Sequence, residues 1–468
     1  ALIGEVVDYA IYYFVQSGKT GLADWRKRFW PTIRLGVLTS ACGFGALLFA
    51  GFPGLAQLGL YALSGLIVAA IVTRFVLPEL SGSNFKMRDL APLGRRLEKI
   101  IRAIHCLRWP AIALALAAAT TLVIQRNELW NPELSALSPI NQADQKIDMA
   151  LRADIGAPDS RYLVVISATD REAALQAAEK TGARLDQLVS QGVIGGYDSP
   201  ARFLPSQASQ SARRASLPAE ADLRRKLQAA QQDSPLAANK LDPFIADVET
   251  ARHLPAIERQ TLAGTSLALA VDSLLLQHDE TWSVLLPLRP GEQAIDAPVL
   301  KAALAGTGAL FIDMKTEFDT LYNDYLHEAM LLSLAGFLAI VALLAVTLRS
   351  ARRLAAVLLP LVLAVLIIIA GLHLFGERLH LLHLIGMLLI IAVGSNYALF
   401  FDHATSDDQL EPETLASMLI ASLTTVIGFG TLALSEVPVL HAVGVTVGPG
   451  AMLALLLSAI FVPRETSA

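Results

Sequence analysis

The chain has 468 residues, of which 54% are apolar and 17% charged, with a formal net charge of −5. That balance, with a mean hydropathy of +0.51, excludes an ordinary soluble domain and fits an integral membrane protein. The two cysteines, Cys42 in an apolar stretch and Cys106 in a basic one, exclude a disulfide scaffold.

In chain order the first element is an apolar stub at 1–15 that carries Asp8 and Tyr9. Eight apolar runs follow, at 33–50, 56–78, 109–125, 327–348, 354–375, 380–401, 414–434 and 440–462, each long enough to cross a hydrocarbon core of about 30 Å. The stub places its polar pair too near the amino end to complete a span, and neither an initiator Met nor a signal-peptide pattern precedes it. The chain is therefore expected to be a fragment of a longer protein.

Lys19, Arg26, Lys27 and Arg28 lie in the first loop, and Arg349, Arg352 and Arg353 in a later one. Lys86, Arg88, Arg95, Arg96, Lys99, Arg102 and Arg108 crowd the stretch 81–108. The positive-inside rule puts all three on the cytoplasmic face. The loop at 402–413 has Asp407, Asp408, Glu411 and Glu413 without a basic residue, but acidic residues weigh little in that rule. Leu90, Leu93, Leu97, Ile100, Ile101 and Ile104 fall on one helical face, which predicts a basic amphipathic helix on the inner membrane surface.

The polar region between the third and fourth full spans is non-cytoplasmic by parity. Arg161–Ser167, Gly192–Tyr197, Trp282–Leu288 and Ala309–Met314 read as strands, with helices at 170–190 and Pro298–Leu304. Two strand-helix-strand units in succession predict an α+β domain of split β-α-β type. The Ala-, Gln- and Leu-rich stretch 206–278 reads as a helical insertion, serving either as packing filler or as a docking surface. The expected organisation is 1–80, the end of a first transmembrane half; 81–108, the cytoplasmic linker; 109–126, a span; 127–326, the exoplasmic domain; 327–463, five further spans; and 464–468, a cytoplasmic tail.

A duplication unites these pieces. Leu38-Thr39-Ser40-Ala41-Cys42-Gly43-Phe44-Gly45-Ala46-Leu47 is echoed by Leu423-Thr424-Thr425-Val426-Ile427-Gly428-Phe429-Gly430-Thr431-Leu432. The register continues without a gap through Pro53 and Pro438, Gly59 and Gly444, Gly65 and Gly450, and Pro78 and Pro463. Each copy is preceded by an apolar helix with a polar centre, Asp8-Tyr9 in one and Asn396-Tyr397 in the other. The predicted fold is an α-helical transmembrane bundle of two pseudo-repeated halves, the plan of a transporter.

A carboxylate in an apolar helix costs about 2.5–3.5 kcal/mol on insertion scales, so Asp8 needs a reason. Gly4, Glu5, Asp8 and Tyr12 share one helix face, with Tyr9 adjacent. Desolvation raises a carboxyl pKa, and neighbouring hydroxyls or amides steady either protonation state; this is proton-relay chemistry. The competing reading is an Asp that fixes helix register. Asn396 cannot titrate, so two facing motif helices would share one carboxylate, with the amide donating to it.

Gly36, Ser40 and Gly43, and Ala421, Thr425 and Gly428, suit tight packing against a motif helix. Thr39, Ser40, Thr424 and Thr425 are secondary candidates for a proton path. His373, His380 and His383 read as interfacial residues rather than a metal site. No Walker loop occurs, so no ATP hydrolysis is expected, nor any nucleic-acid partner. Phe318, Leu321, Tyr322, Tyr325 and Leu326 predict an amphipathic approach to the membrane, either an anchor or the border of a lateral opening.

The Asp8-Tyr9 helix, the paired Thr-Ser/Thr-x-x-Gly-Phe-Gly segments and the large domain between spans resemble the resistance-nodulation-division (RND) superfamily, and within it the MMPL-type exporters. The resemblance implies a bacterial inner-membrane parent with twelve spans and two porter-like domains, exporting a lipid-like or hydrophobic molecule by proton antiport. This chain would then begin within span four and carry the second, periplasmic porter domain. Proton-relay roles carry over to Asp8 and Tyr9, and to Asn396 and Tyr397; Tyr12 joins the candidates through its place on the Asp8 helix face. The chain departs from members with an acid in both halves at Asn396, which bears on proton stoichiometry. Expected partners are membrane lipids and a second copy of the chain, with the proton gradient in place of a cofactor. A drug-efflux pump and a non-transporting, sterol-sensing-like assembly protein are the alternatives.

Overall fold

The computed structural model describes residues 2–81, 90–138, 140, 142–154, 161–230, 238–291, 295–406 and 411–461. The chain divides into two compact units, Ala1–Pro139 with Asp319–Ala468, and Ile140–Phe318, where sequence alone placed the divisions at 127 and 326.

The first unit opens with α1 (Leu2–Arg28), α2 (Trp30–Leu47) and α3 (Pro53–Ile71), which passes through a π-helical turn (Val72–Val76) into α4 (Leu77–Ser81). After α5 (Ala91–Ile104), a 3-10 turn at His105–Leu107 leads into α6 (Arg108–Ile124). Pro31, Pro53 and Pro92 sit in the first turns of α2, α3 and α5, where the missing N–H breaks no helical bond.

The second unit contains α7 (Gln142–Asp154), β1 (Tyr162–Ala168), α8 (Arg171–Ser190) and β2 (Gly196–Tyr197). These are followed by α9 (Gln207–Ser216), α10 (Glu220–Ala230), α11 (Asp242–His253) and α12 (Ser266–Leu274). Next come β3 (Leu275–His278), β4 (Thr281–Arg289), α13 (Ala297–Leu304) and β5 (Leu310–Asp313). The sheet order is β2-β4-β1-β5, with all pairs antiparallel and β3 added beside β4. Thus β1-α8-β2 steps over β4, and β4-α13-β5 steps over β1, a split β-α-β arrangement.

Its core joins Val164, Ile166, Val284, Leu286 and Leu288 to Ala174, Ala178, Leu185 and Leu300. The Asp170 carboxylate caps α8 by accepting from the Ala173 N–H at 2.8 Å. Burial and the Asp186 carboxylate push the Tyr197 hydroxyl up to about 12, and the same hydroxyl donates to Asp186 at 2.9 Å. The insertion at 206–278 is not wholly helical: β3 closes it as a hairpin arm against β4. Leu275 and Leu276 continue the apolar run of α12, so only cross-strand pairing tells strand from helix there. The insertion is tied down at its start, where Glu179 accepts from the Ser206 N–H at 2.8 Å and the Ser206 hydroxyl at 2.7 Å.

The chain returns to the first unit along α14 (Met314–Leu348), then α15 (Ala351–Leu374), α16 (Leu381–Ser406), α17 (Pro412–Ala433) and α18 (Pro438–Phe461). Every residue from Leu381 to Asp402 is buried. A helix apolar all round belongs in the middle of a bundle, and α16 packs against α2, α15 and α18.

Among the described residues seven helices are long and apolar enough to cross a membrane, and the chain is a multi-pass membrane protein. The predicted span at 33–50 is not among them. Its helix, α2, is short and carries Pro31 and Arg34 in its first turns, which dilute its hydropathy. The predicted surface helix at 81–108 also takes another form. α5 leads into α6 through one 3-10 turn, and its Leu97, Ile101 and Ile104 pack against the core of the bundle; residues 82–89 lie outside the described residues.

Candidate functional site

The two motif helices sit crosswise. α1, which carries Asp8, packs against α17, and α16, which carries Asn396, packs against α2. Each polar centre therefore meets the echoed Thr-Ser/Thr segment of the other copy, although nothing local in the sequence joins them.

Asp8 is fully buried. The Thr425 hydroxyl lies 3.4 and 3.5 Å from its two carboxylate oxygens, and the Thr424 hydroxyl 3.5 Å from one of them. Thr424 also donates to the Ala421 carbonyl at 2.8 Å. A hydroxyl has one proton, so while Thr424 spends it on Ala421 it offers Asp8 a lone pair, which suits a protonated carboxyl. Rotated toward Asp8, it suits a carboxylate. Both states of the acid are thus accommodated without moving a helix. Tyr9 and Tyr12 are buried with Asp8, and Tyr397 joins the same group. Tyr12 packs its ring 4.6 Å from that of Phe400, and its buried hydroxyl has no hydrogen-bond partner.

On the opposite side, the Thr39 and Ser395 hydroxyls are 2.8 Å apart. A Cβ on Gly36 would lie 1.7 Å from Asn396 Oδ1, so only glycine lets α16 approach α2 this closely. Asn396 Nδ2 is buried without a hydrogen-bond partner. The expected amide-to-carboxylate bond with Asp8 is therefore not formed: Asn396 is turned to α2, Asp8 to α17.

The echo helices also differ from expectation. Gly36, Ser40 and Gly43 are all buried, as are Ala421 and Thr425, but Gly428 is exposed with open space around it. Thr424 and Thr425, read first as packing residues, are the residues that touch Asp8. Ser395 was missed; its signal was its place beside Asn396 on a helix with few other polar groups. The side chains of Gly4 and Glu5 lie outside the described residues.

The histidines are not interfacial as a set. His380 and His383 are 8% and 1% exposed with rings 4.2 Å apart. His441 Nδ1 sits 2.6 Å from the Ala433 carbonyl oxygen. Among the described residues no three His, Cys, Asp or Glu side chains converge as metal ligands would.

No protein-family model matches the chain, and no curated protein matches it. Among solved structures it is similar to two crystal forms of a heavy metal efflux pump. Form I gives a TM-score of 0.49 at 12% identity over 99% of this chain and 61% of that chain. Form II gives 0.48 at 12% over 99% and 60%. The chain spans about three fifths of the length of the structures it matches.

Proposed function

We propose that this chain belongs to an RND-type, MMPL-like secondary exporter and carries its proton-coupling site, in which proton binding at Asp8 drives outward movement of a hydrophobic or lipid-like molecule. The observation that carries the reading is Asp8 itself, a fully buried acid with the hydroxyls of Thr424 and Thr425 within 3.5 Å of its carboxylate. Such a carboxyl takes up a proton from one face of the membrane and gives it up to the other when access alternates. Tyr9, Tyr12 and Tyr397 are buried in the same group as polar residues able to adjust to either charge state, and Asn396 takes the matching, non-titrating position on α16. The two halves then do unequal work, because only one of them titrates.

The test uses the full-length protein in proteoliposomes with an imposed pH difference, a lumenal pH dye and a fluorescent lysophospholipid. The expected result is lysolipid movement together with collapse of the pH difference. Asp8→Asn reduces both by about a hundredfold or more, the scale of losing one positioned proton-transfer group. Full coupling in Asp8→Asn overturns the relay. A wild-type protein that collapses the gradient without moving lysolipid overturns the substrate class instead.

A further inference from the structure

We propose that the corner formed by Trp25, Arg26, Trp30 and Arg74 is a binding site for the phosphate group of an anionic phospholipid. Three elements build it: the last turn of α1, the first residue of α2, and the π-helical turn after α3. The Arg74 guanidinium lies 4.9 Å above the Trp30 ring, Trp30 is 6.0 Å from Trp25, and Arg26 is close enough to Arg74 to repel its charge.

What the corner lacks is an acceptor. Arg26 Nε, Arg74 Nη1 and Trp25 Nε1 are buried donor atoms without a hydrogen-bond partner. Neither arginine makes an ion pair with a carboxylate among the described residues, although the neighbouring Arg28 does, with Glu411 at 2.5 Å. Two like charges and three unsatisfied N–H groups on neighbouring side chains are unfavourable alone. Stacking on Trp30 accounts for the face of Arg74, but not for its edge, for Arg26 or for Trp25. A ligand made only of acceptors and negative charge satisfies all of them, and guanidinium groups bind phosphate oxygens in a matching fork.

The setting selects a lipid as the source of that phosphate. The corner lies in the last two turns of a membrane-crossing helix, level with the basic end of α1 that the positive-inside rule puts at the cytoplasmic face. On the same stretch of helix Ile71, Phe75 and Val76 are 50%, 62% and 42% exposed, an apolar surface for the attached acyl chains. π-turns recur at functional sites, and this one carries Arg74. The second copy has no such corner, since the register of the duplication puts Leu415 at the place of Trp30 and Ala459 at that of Arg74.

The experiment compares the full-length protein in phosphatidylcholine nanodiscs with and without phosphatidylglycerol, reading the melting temperature and, by native mass spectrometry, the retained lipid. Phosphatidylglycerol is expected to raise the melting temperature and to be retained about tenfold over phosphatidylcholine, a ratio within reach of charge-assisted bonds. In Arg26→Gln/Arg74→Gln the preference is lost, while stability in pure phosphatidylcholine is unchanged or raised because the repulsion is gone. Equal retention of the two lipids by the wild type, a test that needs no variant, overturns the proposal, and so does a phosphatidylglycerol shift that survives the double substitution. A shift of the same size from inorganic phosphate in phosphatidylcholine alone assigns the corner to free phosphate and overturns the lipid.

Discussion

At the scale of single residues, Gly36 makes the sharpest case. A methyl there would overlap Asn396 Oδ1, and Asn396 is 2% exposed, so its amide has little room to swing away. Gly36→Ala is expected to destabilise the bundle by about 1–3 kcal/mol, the usual range for overpacking, and Gly36→Ala/Asn396→Ala to recover most of that. Gly428→Ala, with nothing within 4 Å, is expected to be neutral. Melting temperatures of the three variants decide it, and an undisturbed Gly36→Ala would mean that α2 and α16 do not need the close approach. Asp8 was legible in the sequence because a carboxylate stands out in an apolar helix. Its partners were not, because Thr424 is 416 positions away and its hydroxyl looks like one of several in a packing face. Duplication revealed that the two segments correspond; it did not reveal that each serves the other copy.

At the scale of elements, α5 shows how far pattern reading reaches. Its amphipathic spacing was plain, but the surface that takes its apolar face was not. Gly94 decides the matter, since a Cβ there would fall 1.8 Å from the Pro412 carbonyl oxygen, a backbone atom at the start of α17 that cannot rotate aside. Gly94→Ala is expected to lift α5 from α17, and hydrogen exchange over 91–104 is expected to quicken relative to α16. Unchanged exchange would show that the helix is held from elsewhere. In the second unit the strands β1 and β4 were legible because the apolar stretches within them, 162–166 and 284–288, bounded by polar and turn residues, leave little choice. β3 was not, since four residues continuing a helical apolar run become a strand only through their register with β4, with Asp279 turning the hairpin at φ +52°.

At the scale of the whole molecule, the two units are held by different physics. The helical unit buries its polar groups in small clusters among apolar side chains, Asp8 with the Thr424 and Thr425 hydroxyls and Thr39 with Ser395. The α+β unit ties its central strand β1 to the edge strand β5 with a charged clamp, Arg161 Nε to Asp313 Oδ1 at 3.0 Å, joining the start of β1 to the end of β5. Hydrogen bonding from Arg161, with Thr316 adding its own, holds the Asp313 carboxyl down to about 2, below its usual value of about 3.9. A carboxyl depressed by folding contributes its full stability above the unfolded value and loses it as pH falls through the folded one. The clamp is therefore complete above about pH 4 and gone below about pH 2. Arg161 is 40% exposed, so solvent screening leaves about 1 kcal/mol rather than the full linkage value. Pepsin, active across this window, is expected to cut within 140–318 progressively faster from pH 4 to pH 2. In Asp313→Asn that acceleration is expected to be smaller, with cleavage already faster at pH 4. Equal pH profiles for the two proteins would mean that other carboxylates govern acid opening of the unit, and that the clamp aligns β1 with β5 without contributing to the pH dependence of its stability.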